Sequence, residues 1–262
     1  MKLQGKNLTG YYSVREKLGE DLFTEIWEVK PIFSALELYG FFFKATAKDW
    51  RPDCTKELLS YVRETYNLQH PNLVNVFECD KFEGRVYILT ERVKGFRLAD
   101  YLASKEAFTV GEALSIIYEL LGVLVYLHKR GLTRNLVTPQ TIWISPHLPF
   151  LNRIRLACFG YQFAWGSGPS DVGGPALGAY LAPETRRPGS GAVDFASDLY
   201  GVGVILFRLL TGELPKKAGT EDGAMPVVQA DKRLREKAVP RDIRRLVMSL
   251  MKIRAAQRAR SA

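Results

Sequence analysis

The chain is predicted to be an α+β protein with an antiparallel sheet in its first third and a mainly helical remainder. Residues 10–50 and 74–93 alternate apolar and polar positions and are rich in β-branched and aromatic side chains, as half-buried strands are. From residue 110 onward the apolar positions recur at helical spacing. The length of 262 residues is enough for one large or two small cores.

Within the first region, Lys56 to Leu68 is the helix candidate, with a thin apolar face of Leu58, Leu59, Val62 and Tyr66. Between Val110 and Lys129, the residues Leu114, Ile117, Leu121, Leu124 and His128 mark a longer helix, and Gly131 is placed to stop it. Ala196 to Leu210 is apolar almost all round, the pattern of a helix at the centre of a core. The segment 161–178 is rich in Gly, Ser and Pro and reads as irregular. No internal repeat and no second domain are expected.

Composition excludes several classes. Hydrophobic content of 47% with 22 Gly and 13 Pro is ordinary for a globular protein and argues against disorder. The start, MKLQGKNLTG, has no apolar leader segment, and the longest clean apolar stretch, near 196–210, is too short to span a bilayer, so a cytoplasmic protein without a transmembrane segment is expected. Cys54, Cys79 and Cys158 form no paired framework, and His70, His128 and His147 come with no ligand spacing. Neither a disulfide scaffold nor a metal site is expected. The net charge of +9 is concentrated in residues 216–260, where 13 Lys or Arg stand against 5 Asp or Glu. Solvated helix faces account for that stretch, with an anionic surface contact as the alternative. Nucleic acid is not expected, because no aromatic residues are interleaved with the basic ones.

A series of short motifs then falls in one order. Leu18 to Ile26 (LGEDLFTEI) has the form of a glycine-rich strand-turn-strand with Gly19 as its one remaining glycine, and Phe41-Phe42-Phe43-Lys44 follows as a strand ending in lysine. His70-Pro71-Asn72-Leu73-Val74, Tyr87 to Val93, Gly131 to Ile144, Cys158-Phe159-Gly160, Ala182-Pro183-Glu184 and Asp198 to Val204 come next, with Arg258 near the end. Together they resemble the protein kinase superfamily, of the Ser/Thr-kinase-like kind, over roughly residues 12–260. The resemblance implies a bilobal fold: an antiparallel-sheet lobe with helix C over residues 1–93, and a larger helical lobe over 94–262.

Compared with the family pattern, the residues that carry phosphotransfer are replaced. Leu136 stands where the acceptor-orienting Asp would be, Thr138 at the loop Lys, Thr141 at the metal-binding Asn and Cys158 at the metal-binding Asp. A neutral thiol is a poor ligand for Mg²⁺, which prefers oxygen. Asp21 and Thr24 replace the second and third glycines of the phosphate loop. Lys44 survives, but the position of its helix C partner holds Tyr61, with Glu57 and Glu64 one turn away on either side. The favoured reading of Lys44 is a structural lysine that pairs locally or reaches solvent, with a phosphate ligand as the competing one. The nucleotide cleft would be vestigial, lined by Gly19, Ile26, Phe42, Lys44, Thr90, Glu91, Val93 and Trp143, with the aromatic rings of Phe42 and Trp143 filling the purine space. Glu184, Arg258, Asp198 and Phe159 match residues that hold the family's shape. Regulation by activation-loop phosphorylation is not expected, since 161–181 contains no Thr.

The function these replacements lead one to expect is a catalytically inactive pseudokinase: no enzyme, no cofactor, little or no ATP binding, and a protein partner or a linked domain as its target. The alternatives are an unconventional ATP-binding phosphotransferase using Lys44, and a purely structural interaction domain.

Overall fold

The structure, a computed structural model, describes residues 3–21, 23–44, 54–104, 108–133, 137–145, 153–160, 178–185, 195–215 and 227–258. The chain divides into two compact units. One comprises Met1–Gln69, Leu73–Lys94 and Cys158–Gly166; the other comprises His70–Asn72, Gly95–Ala157 and Ser167–Ala262. Two short segments thus change sides relative to a single cut near residue 93.

The first unit is built on a six-stranded antiparallel sheet in the order β1-β2-β3-β4-β6-β5. The strands are β1 (Asn7–Leu8), β2 (Tyr12–Glu20), β3 (Thr24–Pro31), β4 (Leu38–Phe43), β5 (Val76–Phe82) and β6 (Arg85–Glu91). Pairing sets Ile26 opposite Phe41, and Phe41 opposite Ile88. Because side chains alternate across a strand, Ile26, Phe41, Phe43, Ile88 and Thr90 share one face, while Trp27, Val29, Phe42, Tyr87 and Leu89 share the other. Both faces are buried. The second is closed by Leu3, Leu8 and Val14, so the N-terminal segment supplies the core on that side. The sheet glycine Gly40 is required by close packing: a Cβ there would meet Val29 Cγ2 at 2.7 Å. Helix α1 (Cys54–Glu64) buries Leu58, Leu59, Tyr61 and Val62 and lies on β5. It ends before Leu68, and Tyr66 beyond it exchanges hydrogen bonds with the backbone of Cys79.

The second unit contains a small sheet, β7 (Phe96–Arg97), β8 (Ile142–Ile144) and β9 (Ile154–Leu156), in that order. Its helices are α2 (Leu98–Ser104), α3 (Val110–His128), α4 (Phe195–Thr211), α5 (Val227–Glu236) and α6 (Arg241–Leu250). Helix α3 opens with a capping box, in which the Thr109 hydroxyl accepts from the Glu112 N–H and the Glu112 carboxylate accepts from the Thr109 N–H. Its buried stripe runs through Ala113, Ile116, Ile117, Leu120, Val123, Leu124 and Leu127, while Leu114 and Leu121 are only half buried. The stripe is turned from the expected one because α3 packs against both α4 and β9. By length and composition α3 is also a helix that could cross a membrane. Glu119 at its middle is buried and bonded to Asn72 and to the N–H of Ile154, the arrangement of a core helix. Helix α4 is buried along nearly its whole length and packs against α3, α5 and α6.

Candidate functional site

The β2–β3 hairpin, where the glycine-rich pattern placed phosphate binding, is closed by its own carboxylate. Asp21 Oδ1 accepts from the N–H groups of Phe23 at 2.8 Å and Thr24 at 2.6 Å, and the Asp21 N–H donates to the Thr24 carbonyl at 2.8 Å. A short acidic side chain folded back onto the backbone in this way replaces the conformational freedom of glycine with a fixed turn. Asp21, which replaces the second glycine of the pattern, occupies two amides of the loop. Gly19 remains at the end of β2 with open space around its Cα.

Beside the hairpin runs a chain of ion pairs. Lys44 Nζ lies 3.1 Å from Glu20 Oε1, Lys17 Nζ 2.7 Å from Glu20 Oε2 and 3.3 Å from Glu25 Oε1, and Arg85 Nη2 2.8 Å from Glu25 Oε2. Hydrogen bonds from Lys17 and then Lys44 hold the Glu20 carboxyl below its ordinary range. Burial pushes the Glu25 carboxyl up, and the bonds from Arg85 and Lys17 outweigh it, for a net lowering. Arg85 is buried and also donates to the carbonyls of Phe43 at 2.8 Å and Phe42 at 3.3 Å, so it ties the end of β4 to β3.

One expectation is corrected by this geometry. Phe42 does not share a face with Ile26: its ring stacks on Tyr87, 5.8 Å between centroids, inside the core closed by residues 3–14. The residue on the face of Ile26 is Phe41, which packs on Phe159 with centroids 4.5 Å apart. Lys44 follows Phe43 directly and continues the ladder, its N–H donating to the Phe23 carbonyl at 2.9 Å, so alternation directs it with Phe42 rather than with Ile26. Its ionic partner is Glu20, not a residue of α1, where Tyr61 is buried and Glu57 and Glu64 are exposed. Thr90, on the face of Phe41, is fully buried, Glu91 is pinned to the backbone of Asn75 through both its main chain and its carboxylate, and Val93 is buried.

In the second unit, Leu136 and the segment 161–177 lie outside the described residues. Thr138 and Thr141 form one closed turn. The Thr141 hydroxyl donates to the Thr138 carbonyl at 3.0 Å and accepts the Thr138 N–H at 3.2 Å, and the Thr138 hydroxyl accepts the Gln140 N–H at 3.3 Å. Both threonines are buried. Cys158, in the first unit, is buried and forms no disulfide among the described residues. A hydroxyl spent inside its own turn and a buried thiol do not fit Mg²⁺, which is held by accessible oxygens. Among the described residues there is no cluster of three or more His, Cys, Asp or Glu able to hold a metal. Trp143, the centre of β8, is buried, and the Arg97 guanidinium lies 5.6 Å from its ring centroid.

The shape-holding residues are joined closely. Arg258, its side chain fully buried, makes a bidentate pair with Glu184, Nη1–Oε1 2.5 Å and Nη2–Oε2 2.8 Å. It also donates to the carbonyls of Lys252, Ile253 and Ala196, while Ser197 Oγ donates to Glu184 at 3.0 Å. Burial pushes the Glu184 carboxyl up, but the Arg258 bonds bring it net below its ordinary range. Asp198 accepts from His128 Nε2 at 2.9 Å, both nearly buried. Sequence reasoning missed His128, since a residue at a helix end carries no sign of a partner seventy positions away. The Asp21 turn had a readable signal, an acidic residue in a tight turn. In the basic C-terminal stretch, Arg233 pairs with Glu213 and Glu236, Arg235 and Arg244 with Asp231, and Arg245 with Asp242, so much of its charge is matched locally.

Comparison with known proteins gives a consistent result. The protein kinase domain family model matches residues 14–261. The probable serine/threonine-protein kinase PknB of Lactococcus lactis is 27% identical over 80% of this chain and 33% of its own length. The serine/threonine-protein kinase PknJ of Mycobacterium tuberculosis is 36% identical over 61% of this chain and 27% of its own length. The chain thus spans a third or less of these relatives. Among solved structures, the PknI kinase domain of Mycobacterium tuberculosis is 23% identical, covers 100% of this chain and 95% of its own, and superposes with a TM-score of 0.74. The α+β fold, with its antiparallel-sheet lobe and helical lobe, is that of the kinase neighbours. The expectation that the chain is not an enzyme is corrected by the same findings: the relatives are named as serine/threonine-protein kinases, and the neighbours in structure are kinase domains.

Proposed function

The chain belongs to the protein kinase domain family, and from that premise we propose that it is the unconventional nucleotide-binding kinase domain of a longer signalling protein, transferring phosphate from ATP to Ser or Thr hydroxyls of a protein. The observation that carries this reading is Lys44, retained at the end of β4 beside the β2–β3 hairpin. A lysine there holds phosphate as a point charge on a flexible stem, and its place just past the strand lets the stem turn once Glu20 releases it. Phosphate holding rests on Lys44 in this reading, because Thr141 and Cys158 do not fit a metal ion. A cytoplasmic setting, where ATP is abundant and thiols such as Cys79 and Cys158 stay reduced, belongs to the same reading.

The test is transfer of labelled phosphate from ATP, with Mg²⁺ or Mn²⁺, to a generic protein acceptor and to the chain itself. Label on Ser or Thr that disappears in Lys44→Met supports the reading. No label in the parent chain sinks it.

A second role, control of a protein partner or of a linked domain, is favoured by an apolar patch on the first unit. Tyr11, Ile32, Phe33 and Leu36 are all exposed, Phe33 to 86%, and the Ile32 N–H donates to the Tyr11 carbonyl, which places the two stretches side by side. Binding of the remaining segments of the longer protein to this domain, added in trans, should weaken in Phe33→Ser. Unchanged binding would remove this role.

A further inference from the structure

The groups a nucleotide would need at the β2–β3 hairpin are already engaged by neighbouring carboxylates. Lys44 Nζ is held by Glu20 Oε1 at 3.1 Å, and the N–H groups of Phe23 and Thr24 point at Asp21 Oδ1 at 2.8 and 2.6 Å. From this we infer that Glu20 and Asp21 are built-in competitors for the polyphosphate of the nucleotide, and that they set its affinity. The inference rests on the nucleotide-binding reading above and adds which residues oppose binding and which part of the ligand they act on.

The chemistry is a matter of like against like. A carboxylate oxygen and a phosphate oxygen are both anionic acceptors, so each can satisfy an ammonium group or a pair of backbone amides. Binding of phosphate must therefore break the Glu20–Lys44 contact, turn Asp21 out of the hairpin and bring further negative charge next to two carboxylates. Glu20 is also fastened from its other side by Lys17, and Lys17 in turn by Glu25, which is itself fixed by buried Arg85. Release of Lys44 thus does not free Glu20 to leave. A ligand without phosphate meets none of this opposition, so the effect should separate polyphosphate from nucleoside.

The experiment is calorimetric titration of the chain and of Glu20→Gln, Asp21→Asn, Asp21→Gly and Glu20→Gln/Asp21→Gly with ATP and with adenosine. Asp21→Asn keeps an acceptor oxygen for the turn while losing the charge, so it guards against a hairpin that merely unravels. ATP should tighten about tenfold or more in the double variant, corresponding to about 1.4 kcal/mol, with a smaller gain in Asp21→Asn and adenosine unchanged. ATP bound by the parent and equally by every variant overturns the inference and leaves the nucleotide reading standing. Equal tightening for ATP and adenosine also overturns it, since the carboxylates would then act on shape rather than on phosphate. Failure of parent and variants alike to bind either ligand overturns both.

Discussion

The two units hold their family positions to different degrees. In the second, Glu184 and Arg258 meet in a bidentate, largely buried pair, and Asp198 is bonded in the core. In the first, the positions that resemble a phosphate site are linked to one another: Asp21 closes its own hairpin, and Lys44 is drawn to Glu20. The physical difference is burial. A charged pair largely sealed from water tolerates almost no substitution of one partner, whereas exposed charge pairs at the rim of a sheet contribute little to stability.

The largest expected effect tests the buried side. Arg258→Ala leaves Glu184 without its cation and three carbonyls without their donor, and should cost about 3–5 kcal/mol, read as a lower midpoint in chemical denaturation. A midpoint close to the parent's would erase the distinction between the units. The same pair predicts acid sensitivity. The folded Glu184 carboxyl is depressed, so its contribution is fully present above the ordinary unfolded value of about 4.3 and is lost as pH falls through the lower folded value. Arg258→Ala should remove that part of the acid dependence.

Arg85→Ala sharpens the comparison from within the first unit, because Arg85 is the one buried member of the rim network. Losing its bonds to Glu25 and to the carbonyls of Phe42 and Phe43 should cost about 2–3 kcal/mol. A cost as small as that of an exposed pair would show that the network is dispensable throughout. Thr109→Ala, which removes half of the α3 capping box, should cost about 1 kcal/mol in the same denaturation measurement. The smallest effect is expected for Glu20→Gln: the melting temperature should stay within about a degree of the parent's, as exposed ion pairs contribute little. A clear drop would mean that Glu20 is a structural residue of the hairpin.

Much of the candidate site could be read in advance where a residue's meaning is local or carried by a motif. Ala182-Pro183-Glu184 and Arg258 matched shape-holding positions of the family pattern and meet in a bidentate pair, and the apolar run of 196–210 pointed to the central helix. The facing of β4 could not be read. Three phenylalanines in a row carry no alternation, so the family pattern alone placed Phe42 in the cleft with Ile26, and no local signal tells its facing from that of Phe41. Strand pairing decides it, since a shift of one residue moves every side chain to the other face.

What the amino-acid sequence determined by itself is the family, the order of its elements and the chemical types at each position, because periodicity, turn residues and short motifs are properties of neighbours along the chain. What only the tertiary structure decided is direction and partnership. Lys44 was legible as a lysine, but its pairing with Glu20 follows from the register between β3 and β4 and from the Asp21 turn. His128 was legible as the end of a helix, but its bond to Asp198 exists because α3 and α4 pack side by side in the core. Such contacts join residues whose separation along the chain holds no information about their distance in space, and burial then gives them their strength.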